Sequence, residues 1–128
     1  MSPEMVARAV KAYFAATREM KTDAWLATFA EDALSYDPVD APPHRGHDEL
    51  RRFFDGIVGA FKEVGLHEEH VFIVGNQAAV KWTGRGTGKN GRSVHFEGID
   101  IIEVNEDGKI QTIRGYWNPL ELMGQLQS

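Results

Sequence analysis

The chain contains no cysteine, which excludes disulfide bonds, zinc–thiolate centres and thiol nucleophiles. It has no excess of positive charge either: 14 Lys and Arg residues stand against 19 Asp and Glu residues, and the formal net charge is −5. Since such a surface repels nucleic acid and anionic lipid, we expect no nucleic-acid or membrane partner. No apolar run has the length of a membrane span, and no apolar leader follows Met1. We therefore expect a cytoplasmic protein.

The length and the hydrophobic content of the chain are sufficient for one domain. The chain has 128 residues, 42% of them hydrophobic, which predicts a single domain over residues 1–128 with a core and a small pocket. Apolar side chains at helical spacing predict three helices, the first capped by Ser2 with Pro3 in its first turn. The predicted helices cover about residues 3–17, 23–30 and 48–62, and a proline-rich loop covers residues 38–46.

Strand patterns dominate the rest of the sequence. The predicted strands cover residues 33–37, 71–74, 78–87, 92–105 and 109–118, and a last helical turn or two covers residues 120–126. Gly75-Asn76, Asn90-Gly91 and Asp107-Gly108 favour the tight turns that join antiparallel strands. Helices followed by such strands indicate an α+β domain, in which a curved antiparallel sheet packs against the N-terminal helices as a cone around a ligand space.

Asp100 interrupts the apolar run 99–102, where a carboxyl group is unusual. Strand alternation places it on the same face as Phe96 and Ile102. Desolvation there favours the protonated carboxylic acid, which is a hydrogen-bond donor. The alternative is a buried structural Asp that is paired with an arginine or with backbone amides.

Asp37 and Tyr13 also have two interpretations each. Asp37 ends a short strand just before Pro38, where an Asp commonly starts a turn. Tyr13 lies on the apolar stripe of the first helix, where a tyrosine is commonly part of the core. Together with Asp100, however, they provide two carboxyl groups in opposed environments and a phenol, a set suited to moving a proton next to a carbonyl.

Two stretches of the chain carry a further pattern. The first runs from Tyr13 to Gly46 and includes Phe-Ala-Glu-Asp-Ala at 29–33, Asp37-Pro38 and the proline pair 42–43. The second includes Ile-Asp-Ile-Ile at 99–102, Asn-Glu-Asp-Gly-Lys-Ile-Gln-Thr at 105–112 and Tyr116-Trp117. Over most of its length, residues 61–89 excepted, the chain resembles the ketosteroid isomerases, within the nuclear-transport-factor-like or SnoaL-like superfamily of cone-shaped domains.

This resemblance implies a steroid delta-isomerase that converts a 3-oxo-Δ5 steroid to its Δ4 isomer. Asp37 would be the general base, and Tyr13 and protonated Asp100 would donate hydrogen bonds to the enolate oxygen, as in the ketosteroid isomerases. The ligand would be a small apolar ketone or a steroid, and no metal or organic cofactor is implied. The expected substrate-binding side chains are Trp117, Phe54, Phe29 and Phe96.

The resemblance also implies a homodimer, because the superfamily usually pairs sheet faces. Ile99, Ile101, Ile113 and Tyr116 are the apolar side chains expected on that face.

One departure from the family bears on the strength of the expected oxyanion site. Members of the family often carry tyrosines that hydrogen-bond to the helix tyrosine, and their expected positions here hold Phe29 and Phe54. Tyr13 is therefore expected to lack a supporting network, which predicts a weaker oxyanion site.

Two other functions stay open. One is a SnoaL-type cyclase or an epoxide hydrolase with an Asp-Arg-Asp water site, which is disfavoured because Arg114 has the opposite parity to Trp117. The other is a non-catalytic dimeric module that binds an apolar ligand. The histidine pairs at 44/47 and 67/70 are spaced three apart rather than four, so we expect no metal site.

Overall fold

The computed structural model describes residues 2–127, which form one mixed six-stranded sheet with helices packed on it. The helices are α1 (Pro3–Glu19), α2 (Thr22–Leu26), α3 (Gly46–Ala60) and α4 (Pro119–Gln127). The strands are β1 (Phe29–Tyr36), β2 (His44–Arg45), β3 (Phe61–Val74), β4 (Gln77–Gly88), β5 (Ser93–Val104) and β6 (Ile110–Tyr116). The predicted α+β class, with N-terminal helices on a curved sheet, is confirmed.

The sheet is not wholly antiparallel, which corrects the prediction. Its strand order is β2-β1-β6-β5-β4-β3, and β1 pairs with β6 in the parallel direction. The remaining neighbours are antiparallel, as the predicted turns require. No hairpin joins β1 to β6, so local turn residues carry no information about the relative direction of these two strands.

Two element boundaries also differ from the prediction. The strand predicted at 71–74 begins at Phe61, directly after α3, and pairs with β4 along its length. Its exposed charged residues, such as Lys62, Glu63 and Glu69, hide the apolar alternation that a half-buried strand normally shows. The second helix ends at Leu26 rather than near residue 30, because residues 29 and 30 already belong to β1.

The core lies between the helices and the inward face of the sheet. Ser2 caps α1 by accepting a hydrogen bond from the backbone N–H of Met5, as predicted. The inward stripe of α1, including Val6 and Phe14, is fully buried. These residues hold α1 over the sheet, where it packs mainly on β3.

Within residues 2–127, no helix is long and apolar enough to cross a bilayer. The location in the cytoplasm stays a prediction.

Candidate active site

A cavity of about 140 Å³ lies between the inward face of the sheet and the helices. Its lining is largely apolar and aromatic, with Phe53 and Phe54 from α3 and Phe96 from β5 among the contributors. Its polar groups include Tyr13, Asp37 and Asp100, which the sequence analysis singled out. Residues from distant parts of the chain therefore converge on one small cavity.

Asp100 sits on the inward face of β5, opposite Val80 of β4 and Gly115 of β6. Its exposed fraction is 4%. Burial raises its pKa well above the usual range, the negative charge of Asp37 raises it further, and the Trp82 indole acts in the opposite direction. No lysine, arginine or histidine is among the described side chains that line the cavity. Burial and the neighbouring charge therefore favour the protonated carboxylic acid form of Asp100.

Asp37 follows directly after β1 and is half-buried. Burial raises its pKa to about 6, and the hydrogen bond from Trp117 Nε1 to Asp37 Oδ1, at 2.5 Å, opposes the rise. Asp37 is therefore mainly ionised at neutral pH, whereas the environment of Asp100 favours its protonated form. One group is prepared to accept a proton and the other to donate a hydrogen bond.

Gly115 of β6 lies between the two carboxyl groups. A Cβ atom at this residue would be 2.8 Å from Asp37 Oδ1 and 3.2 Å from Asp100 Oδ1. Since both oxygens lie that close to one point, they are less than about 6 Å apart. Because Gly115 has no side chain, both carboxyl groups have room to reach the cavity.

Tyr13 projects from α1 with an exposed fraction of 3%. Burial raises its pKa well above the usual range, followed by the charges of Asp100 and Asp37, while the Trp25 indole lowers it. The ring is held edge-on against Phe14 and Phe29, with centroids 5.0 and 5.8 Å away. Tyr13 therefore stays a neutral phenol over the accessible pH range and can donate a hydrogen bond.

The other residues named from the sequence fall in different places. Trp117, Phe54 and Phe96 line the cavity, as expected. Phe29 is not among the lining residues: its ring packs edge-on against Tyr13 and against Trp25, whose ring centroid is 4.6 Å away, so the structure places it behind the cavity wall. As the first residue of β1, Phe29 turns its side chain into the aromatic core beneath the site.

Two residues on the sheet were assigned by strand parity, with different outcomes. Arg114 is exposed on the outer face and lies over the Tyr36 ring, 5.2 Å from its centroid, as predicted. Ile113 was expected on that outer face but is 2% exposed. Because alternate residues of a strand share a face, Ile113 lies inward with Gly115 rather than outward with Tyr116.

The histidine pairs are not assembled into metal sites. His44 packs against the Phe53 ring, and His47 Nε2 lies 3.1 Å from the Phe29 carbonyl oxygen. Across the described part of the chain, no group of three or more His, Asp or Glu side chains is arranged to hold a metal ion.

Several cavity residues were not anticipated from the sequence, among them Trp25, Trp82 and Leu122. Trp82 has the same strand parity as Val80, which faces Asp100, so pairing β4 with β5 would have identified it. Trp25 and Leu122 come from short helices whose placement depends on tertiary packing, and the sequence carries no local signal for it.

Comparison with known proteins gives three findings. The family described as the SnoaL-like domain matches residues 10–113. A steroid Delta-isomerase of Nocardioides simplex is 32% identical over 124 residues, covering 96% of this chain and 97% of that protein. The epoxide hydrolase/cyclase-like enzyme SalBIII of pyran ring formation in polyether salinomycin is 26% identical, with a TM-score of 0.83 over 92% of this chain and 94% of that chain.

A more distant structure shares the fold. A Mycobacterium tuberculosis protein in complex with estradiol-17beta-hemisuccinate is 21% identical, with a TM-score of 0.81 over 91% of this chain and 96% of that chain.

Proposed function

The chain belongs to the SnoaL-like domain family, and we propose that it is a steroid delta-isomerase-like enzyme that moves a C=C bond into conjugation with a ketone. One observation carries the proposal: Tyr13, Asp37 and Asp100 meet in a single largely apolar cavity, where burial raises the pKa of Asp37 to about 6 and that of Asp100 well above its usual range. The similarity to the steroid Delta-isomerase supports the same reaction class.

In the proposed reaction, the Asp37 carboxylate removes a proton from the carbon between the ketone and the C=C bond. The C–H electron pair moves into the conjugated system and leaves a dienolate with negative charge on oxygen. Protonated Asp37 then returns the proton to the far carbon of the dienolate, so the product has the same atoms as the substrate. A half-buried base with a pKa near 6 is suited to both steps, because it is ionised at neutral pH yet basic enough to accept the proton.

The dienolate oxygen would be held by the Tyr13 hydroxyl and the Asp100 carboxylic acid. Both donors are in place before the charge appears, in a cavity that excludes most water. Such fixed donors stabilise a developing charge more strongly than water does, since they need no reorganisation.

The substrate we propose is a ketone with a rigid apolar ring system, such as a 3-oxo-Δ5 steroid. The cavity volume of about 140 Å³ is smaller than the ~300–1,000 Å³ typical of pockets that enclose a drug-sized ligand. The ring that carries the ketone would therefore occupy the cavity, and the remaining rings would lie towards its opening. The Mycobacterium tuberculosis protein, which shares this fold, is in complex with an estradiol derivative, and this supports a ligand with a rigid ring system.

A second candidate is a cyclase or an epoxide hydrolase, which the similarity to SalBIII favours. A water-activating Asp-Arg-Asp site would need a cation beside the carboxylates, and Arg114 lies on the outer face of the sheet. This arrangement supports the isomerase as the leading candidate.

The test of the function is a direct assay with 5-androstene-3,17-dione, following the ultraviolet absorbance of the conjugated enone. Turnover would support the isomerase. Binding of the steroid without turnover would instead favour a non-catalytic module, and hydrolysis of an epoxide in place of enone formation would favour the second candidate.

The rate should depend on pH through Asp37. We expect kcat/KM to be constant above about pH 7 and to fall about tenfold per pH unit well below pH 6, because the base becomes protonated there. The measurement is the initial rate in buffers from pH 4.5 to 9, with circular dichroism at each pH to show that the fold persists. A rate that increases towards low pH would contradict the assignment of Asp37 as the base.

We further propose that the protein is a homodimer that pairs the outer face of the sheet. Ile99 and Tyr116 are 45% and 51% exposed on this face and lie opposite each other in register. An Ile99→Glu variant should shift the mass measured by light scattering from twice that of the chain to that of one chain. A wild-type protein with the mass of one chain at high concentration would disprove the dimer.

A further inference from the structure

Each of the three tryptophans of the chain lies beside one of the three acidic groups of the cavity. Trp117 donates its indole N–H to Asp37. Trp25 and Trp82 are each 2% exposed. Among the buried side-chain nitrogen and oxygen atoms of residues 2–127, their two indole nitrogens are the ones that make no hydrogen bond of normal geometry. A buried indole N–H that lacks a well-formed hydrogen bond is costly, so its placement beside an acidic group calls for a functional reason.

Trp25 is fixed next to Tyr13. Its ring stacks on Phe54 with centroids 4.5 Å apart and planes 12° apart, and Phe29 covers it at 4.6 Å. The ring centroid of Tyr13 is 6.4 Å away, and the indole lowers the pKa of the phenol, as a donor beside the phenol oxygen does. Phe29 and Phe54 therefore do not leave Tyr13 isolated: they hold an indole N–H beside it.

Trp82 is fixed next to Asp100. It pairs with Gly98 on β5, two residues before Asp100 and on the same face of the sheet. A Cβ atom at Gly98 would be 2.5 Å from Trp82 Cζ2, a ring carbon two bonds from Nε1. The nitrogen-bearing edge of the indole thus occupies the space that this glycine leaves, and the indole lowers the pKa of Asp100, as a donor beside its carboxyl group does.

An indole N–H can donate a hydrogen bond but cannot accept one. When an N–H group faces the phenol oxygen, the O–H bond of the phenol therefore cannot point towards that N–H group. An N–H that faces one carboxyl oxygen keeps the acidic proton on the other oxygen. Without these neighbours, both hydroxyl groups could rotate among several directions.

We propose that Trp25 and Trp82 are positioning residues that direct the protons of Tyr13 and Asp100 into the cavity, towards the oxygen of a bound ketone. This inference rests on the proposed isomerase function. When the ketone oxygen becomes negative and draws on the two protons, the phenol and carboxyl oxygens gain charge, and the indole hydrogen bonds shorten. Such shortening on forming the charged complex is common for hydrogen bonds that are long in the free enzyme.

The first test replaces each tryptophan with β-(3-benzothienyl)alanine, which keeps the ring shape and has sulfur in place of N–H. We expect kcat to fall about 3–10-fold in either variant, with KM nearly unchanged, because one neutral hydrogen bond contributes roughly 0.5–1.5 kcal/mol. Loss of the Trp82 N–H also favours protonated Asp100, since the indole lowers the pKa of that group. A lower rate therefore cannot come from ionisation of Asp100. Unchanged kcat in both variants would overturn the proposal.

The second test does not require turnover. The indole ¹H–¹⁵N signals of the three tryptophans are recorded as 2-naphthol, a planar phenol, is added to the intact protein. We expect the Trp25 and Trp82 protons to move downfield as their acceptors gain charge, and the Trp117 proton to move upfield or stay, since Asp37 takes up a proton.

The proposal would be overturned if 2-naphthol bound while the Trp25 and Trp82 signals stayed unchanged. It would also be overturned if no phenol bound, because two donors that point into the cavity should bind a phenolic oxygen. Downfield shifts together with no isomerisation of enones would leave the positioning role in place and refute the catalytic function alone.

Discussion

We expect the Asp37→Asn variant to lose about 10²–10⁴-fold in isomerisation rate, the usual contribution of a general base. The amide keeps the size and shape of the side chain and can still bind Trp117, but it cannot accept the substrate proton. The measurement is kcat/KM with 5-androstene-3,17-dione at pH 8, where Asp37 of the wild type is ionised.

Asp40→Asn is the matched control for this variant. Asp40 is exposed in the same loop and receives the same chemical change. It should retain the wild-type rate. A loss below tenfold in Asp37→Asn, or an equal loss in the two variants, would show that Asp37 is not the base.

Replacements of Asp100 should separate its role as a donor from its charge. We expect Asp100→Leu to lose about 10²–10³-fold in rate, because it removes one oxyanion donor. Asp100→Asn should lose less, since the amide N–H₂ group can still donate to the dienolate oxygen. If Asp100 instead acted as a carboxylate, both variants would lose the same activity.

Thermal unfolding provides the control that these variants fold. Burial raises the pKa of Asp100, so the stability that this group contributes is fully present below its unfolded pKa and is lost progressively as the pH rises from the unfolded pKa to the folded pKa, because the unfolded chain releases the proton first. At neutral pH an uncharged replacement avoids that loss. We expect Asp100→Asn to be more stable than the wild type by about 0.5–2 kcal/mol while it is less active. A destabilised variant would indicate a structural role for Asp100.

The sequence predicted what depends on local pattern and on resemblance. Alternation along β5 placed Asp100 on the buried face with Phe96, and the structure confirms it. The capped start of α1 and the antiparallel order of β3 to β6 follow from short-range residue preferences, and both are present.

The errors have a common physical origin in contacts between residues far apart in sequence. The parallel pairing of β1 with β6 joins strands that are separated by four others along the chain, and no local residue specifies its direction. The environment of Tyr13 depends on Trp25, whose orientation is set by α3 rather than by its own short helix. Ile113 was a different error, because strict alternation along β6 would have placed it inward.

The pairing of β1 with β6 has a consequence for how this site can change. Tyr36 of β1 pairs with Arg114 of β6. The next residues along the two parallel segments are Asp37 and Gly115, so the Asp37 carboxyl group lies over the space that Gly115 leaves. One residue inserted into β1 would shift the strand and turn the carboxylate to the outside, whereas extra residues at 39–43 would leave it in position. Tolerance to insertion therefore changes abruptly at Asp37. Variant libraries that aim to change substrate specificity should extend the loop after Asp37 and keep the length of the strand before Asp37.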